Sequence, residues 1–310
     1  MHHVPVLLDE VVKYLKPETG DRFIDGTAGD GGYIKEILRI NPSAKILGID
    51  LDQVSLDKLS MQLAQGNLSQ RSELVQANFR DIKRIAQEKS FVPAAGVLLD
   101  LGFSSSQLDD PGRGLSFQTN GPLDMRFDPH QKLTARVVVN TYHKPDLVRI
   151  FKDYGEERLA AKIAEEIIIC RKKQEITDTR ELLAVIELAL PKPVKYKVAD
   201  YARRIFQAIR IEVNDELNSL KIALPNIFEI LEPGGRMVII SFHSLEDRIV
   251  KEFFVNMARG CICPPDFPQC VCGKNPQAKI LTRKPVTATV GEIENNPRSK
   301  PAKLRALKKA

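Results

Sequence analysis

Four glycines and two aspartates crowd into residues 25–32 (DGTAGDGG), which follow a short apolar run and precede a helical pattern. A strand, a glycine-rich turn and a helix in this order let a ligand approach the backbone at the carboxyl edge of an α/β sheet. The turn holds Asp25 and Asp30 but no Lys or Arg. A pyrophosphate would meet a carboxylate there at a cost of roughly 4 kcal/mol per contact. The cationic S-adenosylmethionine therefore fits better than a nucleotide, and a turn without a ligand is the remaining alternative.

Asp50 ends the apolar run 45–50 (KILGID). A carboxylate at the end of the second strand can accept hydrogen bonds from both ribose hydroxyls of an adenosine. Asp52 competes for this role, but it lies past the strand end, so we favour Asp50. Capping of the next helix is the alternative role for either residue.

Asp100 ends the run 96–100 and is followed by Leu101, Gly102 and Phe103. Methyltransferases that act on amines commonly carry an Asp/Asn-Pro-Pro-aromatic tetrad at this edge. There the polar side chain accepts a hydrogen bond from the target amine and the ring stacks on the base. This chain keeps the acid and the ring but lacks both prolines.

His243, just past the fifth predicted strand, is the other candidate proton acceptor, with a structural role as the alternative.

One edge of a parallel sheet must bring these residues together. Near-continuous apolar runs predict buried parallel strands, and they fall at 22–25, 45–50, 73–76, 96–100 and 236–241. Between the fourth and fifth runs, residues 111–129 are rich in Gly and Pro and predict a long ordered loop, and helical patterns such as 156–173 and 201–217 follow it. We therefore predict a doubly wound α/β domain of residues 1–108 and 216–310, with an inserted helical subdomain of residues 109–215 for substrate recognition.

Composition fits a protein with a sizeable core: 310 residues, 43% of them hydrophobic and 28% charged. No apolar run approaches the ~18 residues of a membrane span, and the start does not resemble a signal peptide, so we expect a cytoplasmic protein without membrane contact.

The formal charge is +6, and residues 297–310 alone hold six Lys or Arg and no acid. Such a segment predicts either a polyanion-binding tail or a solvated one.

The helical pattern 201–217 places polar residues on one face, at Arg203, Gln207, Arg210 and Asn214. This face predicts either contact with RNA phosphates or simple solvation.

Four of the five cysteines crowd into residues 261–272 as two C-x-C pairs, Cys261 with Cys263 and Cys270 with Cys272. Four thiolates can hold a structural zinc ion, although the usual zinc knuckle is C-x-x-C. Reduced thiols or a redox-sensitive loop are the alternatives.

Taken together, a set of motifs resembles the RsmH (MraW) family, and the resemblance runs from about residue 3 to residue 305. The motifs are HVPVLLDE at 3–10, DGTAGDGG at 25–32, DLGFSSSQLDD at 100–110, GPLDMR at 121–126, YGEER at 154–158, RIFQAIRIEVN at 204–214 and SFHSLEDR at 241–248. Members of this family use S-adenosyl-L-methionine to methylate the exocyclic amine (N4) of a cytidine in the decoding region of bacterial small-subunit (16S) rRNA.

The resemblance implies a Rossmann-like methyltransferase sheet and the small ribosomal subunit as partner. It also implies a set of cofactor contacts: Gly31, Gly32, Tyr33, Asp50, Phe79, Asp100 and Gln107. Position 33 is often His in the family, so here only a backbone contact is expected of Tyr33. Methylation of another amine, in adenine or a protein side chain, is an alternative, as is a non-catalytic factor in rRNA assembly.

Overall fold

Within the described residues, seven strands form one sheet in the order β3-β2-β1-β4-β5-β7-β6. The computed structural model describes residues 5–104, 107–108, 110–261, 263 and 272–310. Their contacts group into two units, Met1–Gly102 with Leu217–Ala310, and Phe103–Glu216. The sheet lies in the first unit. Its strands are β1 Arg22–Asp25, β2 Lys45–Asp50, β3 Ser72–Gln76, β4 Ala94–Asp100, β5 Leu231–Ser241, β6 Ala278–Ile280 and β7 Lys303–Lys309.

The first five strands of the chain are parallel, and β7 runs antiparallel to both β5 and β6. Helices connect the parallel strands, as right-handed crossovers require. Among the described residues, the helices of this unit are α1 Leu8–Leu15, α2 Gly32–Ile40, α3 Gln53–Gln65, α4 Ile82–Glu88, α10 Glu216–Ile230, α11 Ser244–Ala258 and α12 Val290–Asn295. The doubly wound, Rossmann-like class predicted from the apolar runs is confirmed.

Neighbouring residues of the strands pack on opposite faces of the sheet. Phe23 and Leu98 belong to one hydrophobic cluster, whereas Ile24 and Leu99 belong to another. All four are buried. Coverage of both faces explains why these strands read as continuous apolar runs rather than as alternating patterns.

The basic segment 297–310 is not a tail. Its residues Lys303–Lys309 form β7, in which Leu304, Ala306 and Leu307 are fully buried. Arg305 is only 7% exposed and is paired with Asp247. The expectation of a free polyanion-binding or solvated tail is therefore wrong, because half of this segment is an interior strand.

The unit Phe103–Glu216 is helical. Its helices are α5 Ala135–Thr141, α6 Lys144–Asp153, α7 Ala160–Lys173, α8 Thr179–Ala189 and α9 Val198–Asn214. The sequence fixes two of their beginnings, since Thr134 accepts a hydrogen bond from the Val137 N–H and Asp178 accepts one from Glu181. Across both units, none of the described helices is long and apolar enough to cross a membrane.

The polar face of α9 points largely into its own unit. Gln207 donates to the Tyr154 carbonyl (3.0 Å), and the Arg210 guanidinium pairs with Glu216 through two bonds of 2.8 and 2.9 Å. Asn214 donates to the Met125 carbonyl (2.8 Å). Only Arg203, 67% exposed, lies on the surface. Neither predicted role holds for this face as a whole, because three of its four side chains make internal hydrogen bonds.

Candidate active site

Three carboxylates end three adjacent strands of the sheet. Asp25 ends β1, Asp50 ends β2 and Asp100 ends β4, and the order β2-β1-β4 places these strands side by side. Because the carboxyl ends of parallel strands share one edge, the acids gather there as the sequence predicts.

Thr27 links the ends of β1 and β4. Its hydroxyl accepts a hydrogen bond from the Asp100 N–H (2.7 Å) and donates to Asp25 Oδ1 (3.3 Å), which also accepts from the Thr27 N–H (3.0 Å). Sequence reasoning assigned no role to Thr27, although it lies inside the 25–32 motif. This link fixes the spacing of the two carboxyl groups.

Two buried carboxyl oxygens at this edge, Asp25 Oδ2 and Asp100 Oδ1, make no hydrogen bond to any described residue. Burial is the main cause that raises the pKa of Asp25 to about 7 and that of Asp100 to about 8. Nearby acids add to both shifts: Asp50 acts on Asp25, and Asp25 and Glu246 act on Asp100. A buried oxygen without a partner is costly, and a cation or a donor placed beside it removes that cost.

The hydroxyl of Tyr33 reaches Asp100. Tyr33 Oη lies 2.6 Å from the Val6 carbonyl oxygen and 3.1 Å from Asp100 Oδ2. A phenol has one proton, so the Val6 carbonyl and the Asp100 carboxylate share it as acceptors. This hydrogen bond acts against the burial that raises the pKa of Asp100. The backbone contact of Tyr33 with the cofactor stays a prediction, since these side-chain contacts lie within the protein.

Asp50 and Asp52 have different surroundings. Asp50 Oδ2 accepts from the Gly29 N–H (2.7 Å) and Oδ1 accepts from the Asp52 N–H (2.9 Å), which leaves acceptor capacity on both oxygens. Burial raises the pKa of Asp50. Asp52 is buried and accepts from the Val54 N–H (3.1 Å) as the N-cap of α3. The capping alternative thus describes Asp52.

The glycines of the turn are required by packing within the protein. Gly31 has φ +73°, and a Cβ built on it would lie 2.0 Å from Leu59 Cδ1. A Cβ on Gly32 would lie 2.1 Å from Pro5 Cγ. A larger residue at position 31 therefore disturbs the contact with α3 as well as the turn conformation.

The other predicted contacts are distributed over both units. Phe79 follows β3 and packs beside the turn, since a Cβ on Gly26 would lie 3.4 Å from Phe79 Cβ. In the helical unit, Gln107 Oε1 accepts from the Ser104 N–H (2.9 Å). In the same unit, the Arg210 guanidinium lies over the Phe103 ring, 4.9 Å from the ring centroid.

His243 precedes α11 and is almost buried, with 8% of its side chain exposed. Its Nε2 lies 3.2 Å from Glu246 Oε1, yet neither ring nitrogen has a hydrogen bond of good geometry to a described residue. Glu246 Oε2 accepts from the Phe242 N–H (2.9 Å). The imidazole is thus buried beside Glu246 at the end of β5.

A doubly wound sheet with an acidic, glycine-rich first turn and an acid at the end of its fourth strand defines a Rossmann-like methyltransferase. The sequence model of the family described as "MraW methylase family" matches residues 1–310 of this chain. A protein from Carboxydothermus hydrogenoformans named Ribosomal RNA small subunit methyltransferase H is 48% identical, over 99% of this chain and 97% of its own. A protein of the same name from Heliobacterium modesticaldum is 45% identical, and the match covers 99% of this chain and 98% of that protein. The chain belongs to the MraW methylase family.

Among solved structures, an rRNA methylase from Streptococcus thermophilus is similar at a TM-score of 0.42 and 11% identity, over 97% of this chain and 93% of that one.

Proposed function

We propose that this protein transfers a methyl group from S-adenosyl-L-methionine to the exocyclic amine (N4) of a cytidine in the decoding region of small-subunit (16S) rRNA. The relatives' shared name supports the substrate class, and the motif resemblance supports the base and its position. The observation that carries the chemistry is the pair of unpartnered carboxyl oxygens at Asp25 and Asp100. We expect the reaction to occur in the cytoplasm, where small subunits are assembled.

The residues at the sheet edge fit this cofactor. When bound, S-adenosyl-L-methionine supplies an electrophilic methyl group on a sulfonium, and it also carries an ammonium. The orphaned oxygens of Asp25 and Asp100 match these positive charges. The first N–H groups of a helix lack intrahelical partners, so the amino end of α2 offers donors to a carboxylate. The proposed contacts are Gly31, Gly32, Tyr33, Asp50, Phe79, Asp100 and Gln107.

Asp50→Ala should weaken binding of S-adenosyl-L-methionine by roughly 1.5–3 kcal/mol, because it removes a charged acceptor for the ribose hydroxyls. Isothermal titration calorimetry measures the change. Asp57→Ala, on the exposed side of α3, is the control and should bind normally. Unchanged affinity in Asp50→Ala would contradict the ribose assignment.

Asp100 has the central proposed role in the reaction. The amine of cytosine is a weak nucleophile, because its lone pair is delocalised into the ring. An acceptor that holds one N–H turns the lone pair toward the methyl group, which helps through orientation. Asp100 or the Leu101 carbonyl is this acceptor, and Phe103, three residues further along the chain, stacks on the base. The N–H becomes acidic as the new N–C bond forms, so Asp100 or His243 needs to take the proton only then.

A different target amine and a non-catalytic assembly role are the rival functions. Incubation of small subunits with labelled S-adenosyl-L-methionine separates the three, because nuclease digestion and mass spectrometry identify the methylated nucleoside. We expect N4-methylated cytidine at one position. Label in adenosine or in protein would favour another amine, and no label on any fraction would favour the assembly role.

Assembled small subunits should be methylated much faster than protein-free rRNA. Non-specific affinity for RNA depends mainly on the phosphates that basic residues neutralise. Outside residues 297–310 the formal charge is zero, and within them Arg305 is paired with Asp247. Selection must therefore rest on a base already displayed by folded RNA. Initial rates on the two substrates at equal concentration measure this, and equal rates would show that local sequence is enough.

A further inference from the structure

Three thiols converge in the segment that joins α11 to β6. The Sγ atoms of Cys261, Cys263 and Cys272 all lie within 4.8 Å of one another, and those of Cys261 and Cys272 are 3.7 Å apart. Cys261 comes three residues after the end of α11, and Cys272 comes shortly before β6. The predicted fourth ligand, Cys270, lies outside the described residues.

These distances suit a metal ion better than a disulfide. With zinc–sulfur bonds of about 2.3 Å, the sulfur atoms of a tetrahedral site are about 3.8 Å apart. The 3.7 Å between Cys261 and Cys272 agrees with that edge, whereas a disulfide needs about 2.05 Å. The Cys263 N–H also donates to Cys261 Sγ at 3.4 Å. Such a donor favours the thiolate form that a metal requires.

We propose that Cys261, Cys263 and Cys272 bind a structural zinc ion. Each thiol gives up its proton to solvent as its sulfur coordinates the metal, with no change in oxidation state. The ion takes no part in methyl transfer, because the 15 residues of α11, about 22 Å of helix, separate Cys261 from His243 at the carboxyl edge.

The site joins two elements that are already close at their ends. The Gln277 N–H donates to the Met257 carbonyl (2.9 Å), so the chain leaves α11 and returns beside it before β6. A metal that ties Cys261 and Cys263 to Cys272 closes the loop between these points. We therefore expect the ion to hold Cys261, Cys263 and Cys272 together and to leave the sheet unchanged.

Elemental analysis of protein purified without a metal-affinity step should find about one zinc per chain. A mercurial reagent that modifies thiols should release it, as followed with a zinc-sensitive dye. The variants Cys263→Ser and Cys272→Ser should lose zinc, whereas the control Cys170→Ser, on α7 of the other unit, should keep it. Cys270→Ser tests separately whether a fourth thiolate is needed: weaker zinc binding supports a four-thiolate site, and unchanged binding a three-thiolate one.

A second measurement does not depend on the variants. Cobalt(II) added to chelator-treated protein should give a sulfur-to-metal charge-transfer band and the visible bands of tetrahedral coordination, and zinc should displace it. Limited proteolysis should cut between residues 259 and 277 faster after zinc removal. Metal-free native protein whose thiols all react with a thiol reagent, or a mass decrease that shows a disulfide, would overturn the proposal. Neither result bears on methyl transfer.

Discussion

A chain that ends at residue 296 should not fold. The deletion removes β7, which lies between β5 and β6 in the sheet. Its Leu304 and Leu307 are fully buried, and each buried leucine contributes about 1.5–3 kcal/mol. The deletion also removes the backbone hydrogen bonds that β7 makes with β5 and β6, each contributing about 0.5–1.5 kcal/mol. These losses reach the ~5–15 kcal/mol by which domains are stable. Circular dichroism and size-exclusion chromatography of the truncated chain measure the outcome.

The matched control keeps the strand and removes charge. Arg298→Gln combined with Lys300→Gln changes two exposed residues that precede β7. We expect this variant to melt within a few degrees of the natural protein, because surface substitutions usually change stability by less than about 0.5 kcal/mol. A native melting temperature in the truncated chain would contradict the placement of β7. Unfolding of the control would show instead that charge in this segment maintains the fold.

The parallel part of the fold could be predicted because both faces of its strands are covered, which leaves a plain apolar signal such as KILGID at 45–50. β7 carries no such signal, because its letters KLRALKK read as a basic segment. The partners that make it a strand lie far away in the chain. Arg305 pairs with Asp247, and the Lys309 ammonium donates to the carbonyls of Phe228 in α10 and Leu231 at the start of β5.

The acids of the candidate site could also be predicted, because the ends of parallel strands meet at one edge. The Tyr33 contact could not, since it depends on a distance between three elements and on the single proton of a phenol. The reason for Gly31 was equally hidden, because Leu59 belongs to the next helix. Sequence thus indicated which residues carry charge at the site, while the structure shows which of their atoms lack partners.

Asp100→Ala should lower single-turnover methyl transfer to small subunits by about 10²- to 10³-fold at saturating S-adenosyl-L-methionine. This is the usual cost of losing a preorganised group that is oriented toward the reacting atoms. Phe103→Ala should lower it less, because base stacking contributes about 1–3 kcal/mol and affects mainly substrate binding. Saturation with cofactor is needed, since Asp100 is also a proposed cofactor contact. Near-normal turnover of Asp100→Ala under these conditions would contradict its role as acceptor.

Asp100→Asn and pH separate hydrogen bonding from charge. The pKa of Asp100 is raised to about 8, so the carboxyl is mostly protonated below that pH and ionises as the pH rises. The positive charge of bound S-adenosyl-L-methionine favours the ionised carboxylate. Cofactor binding should therefore release protons from Asp100 near pH 7, and the affinity should increase as the pH rises toward 8. Calorimetry in buffers of different ionisation enthalpy measures this release. Binding of S-adenosylhomocysteine, which lacks the sulfonium charge, should release fewer protons. In Asp100→Asn, cofactor binding should release fewer protons than in the natural protein, while the amide oxygen still accepts a hydrogen bond from the amine. Equal proton release by both ligands and both proteins would show that Asp100 does not sense the sulfonium.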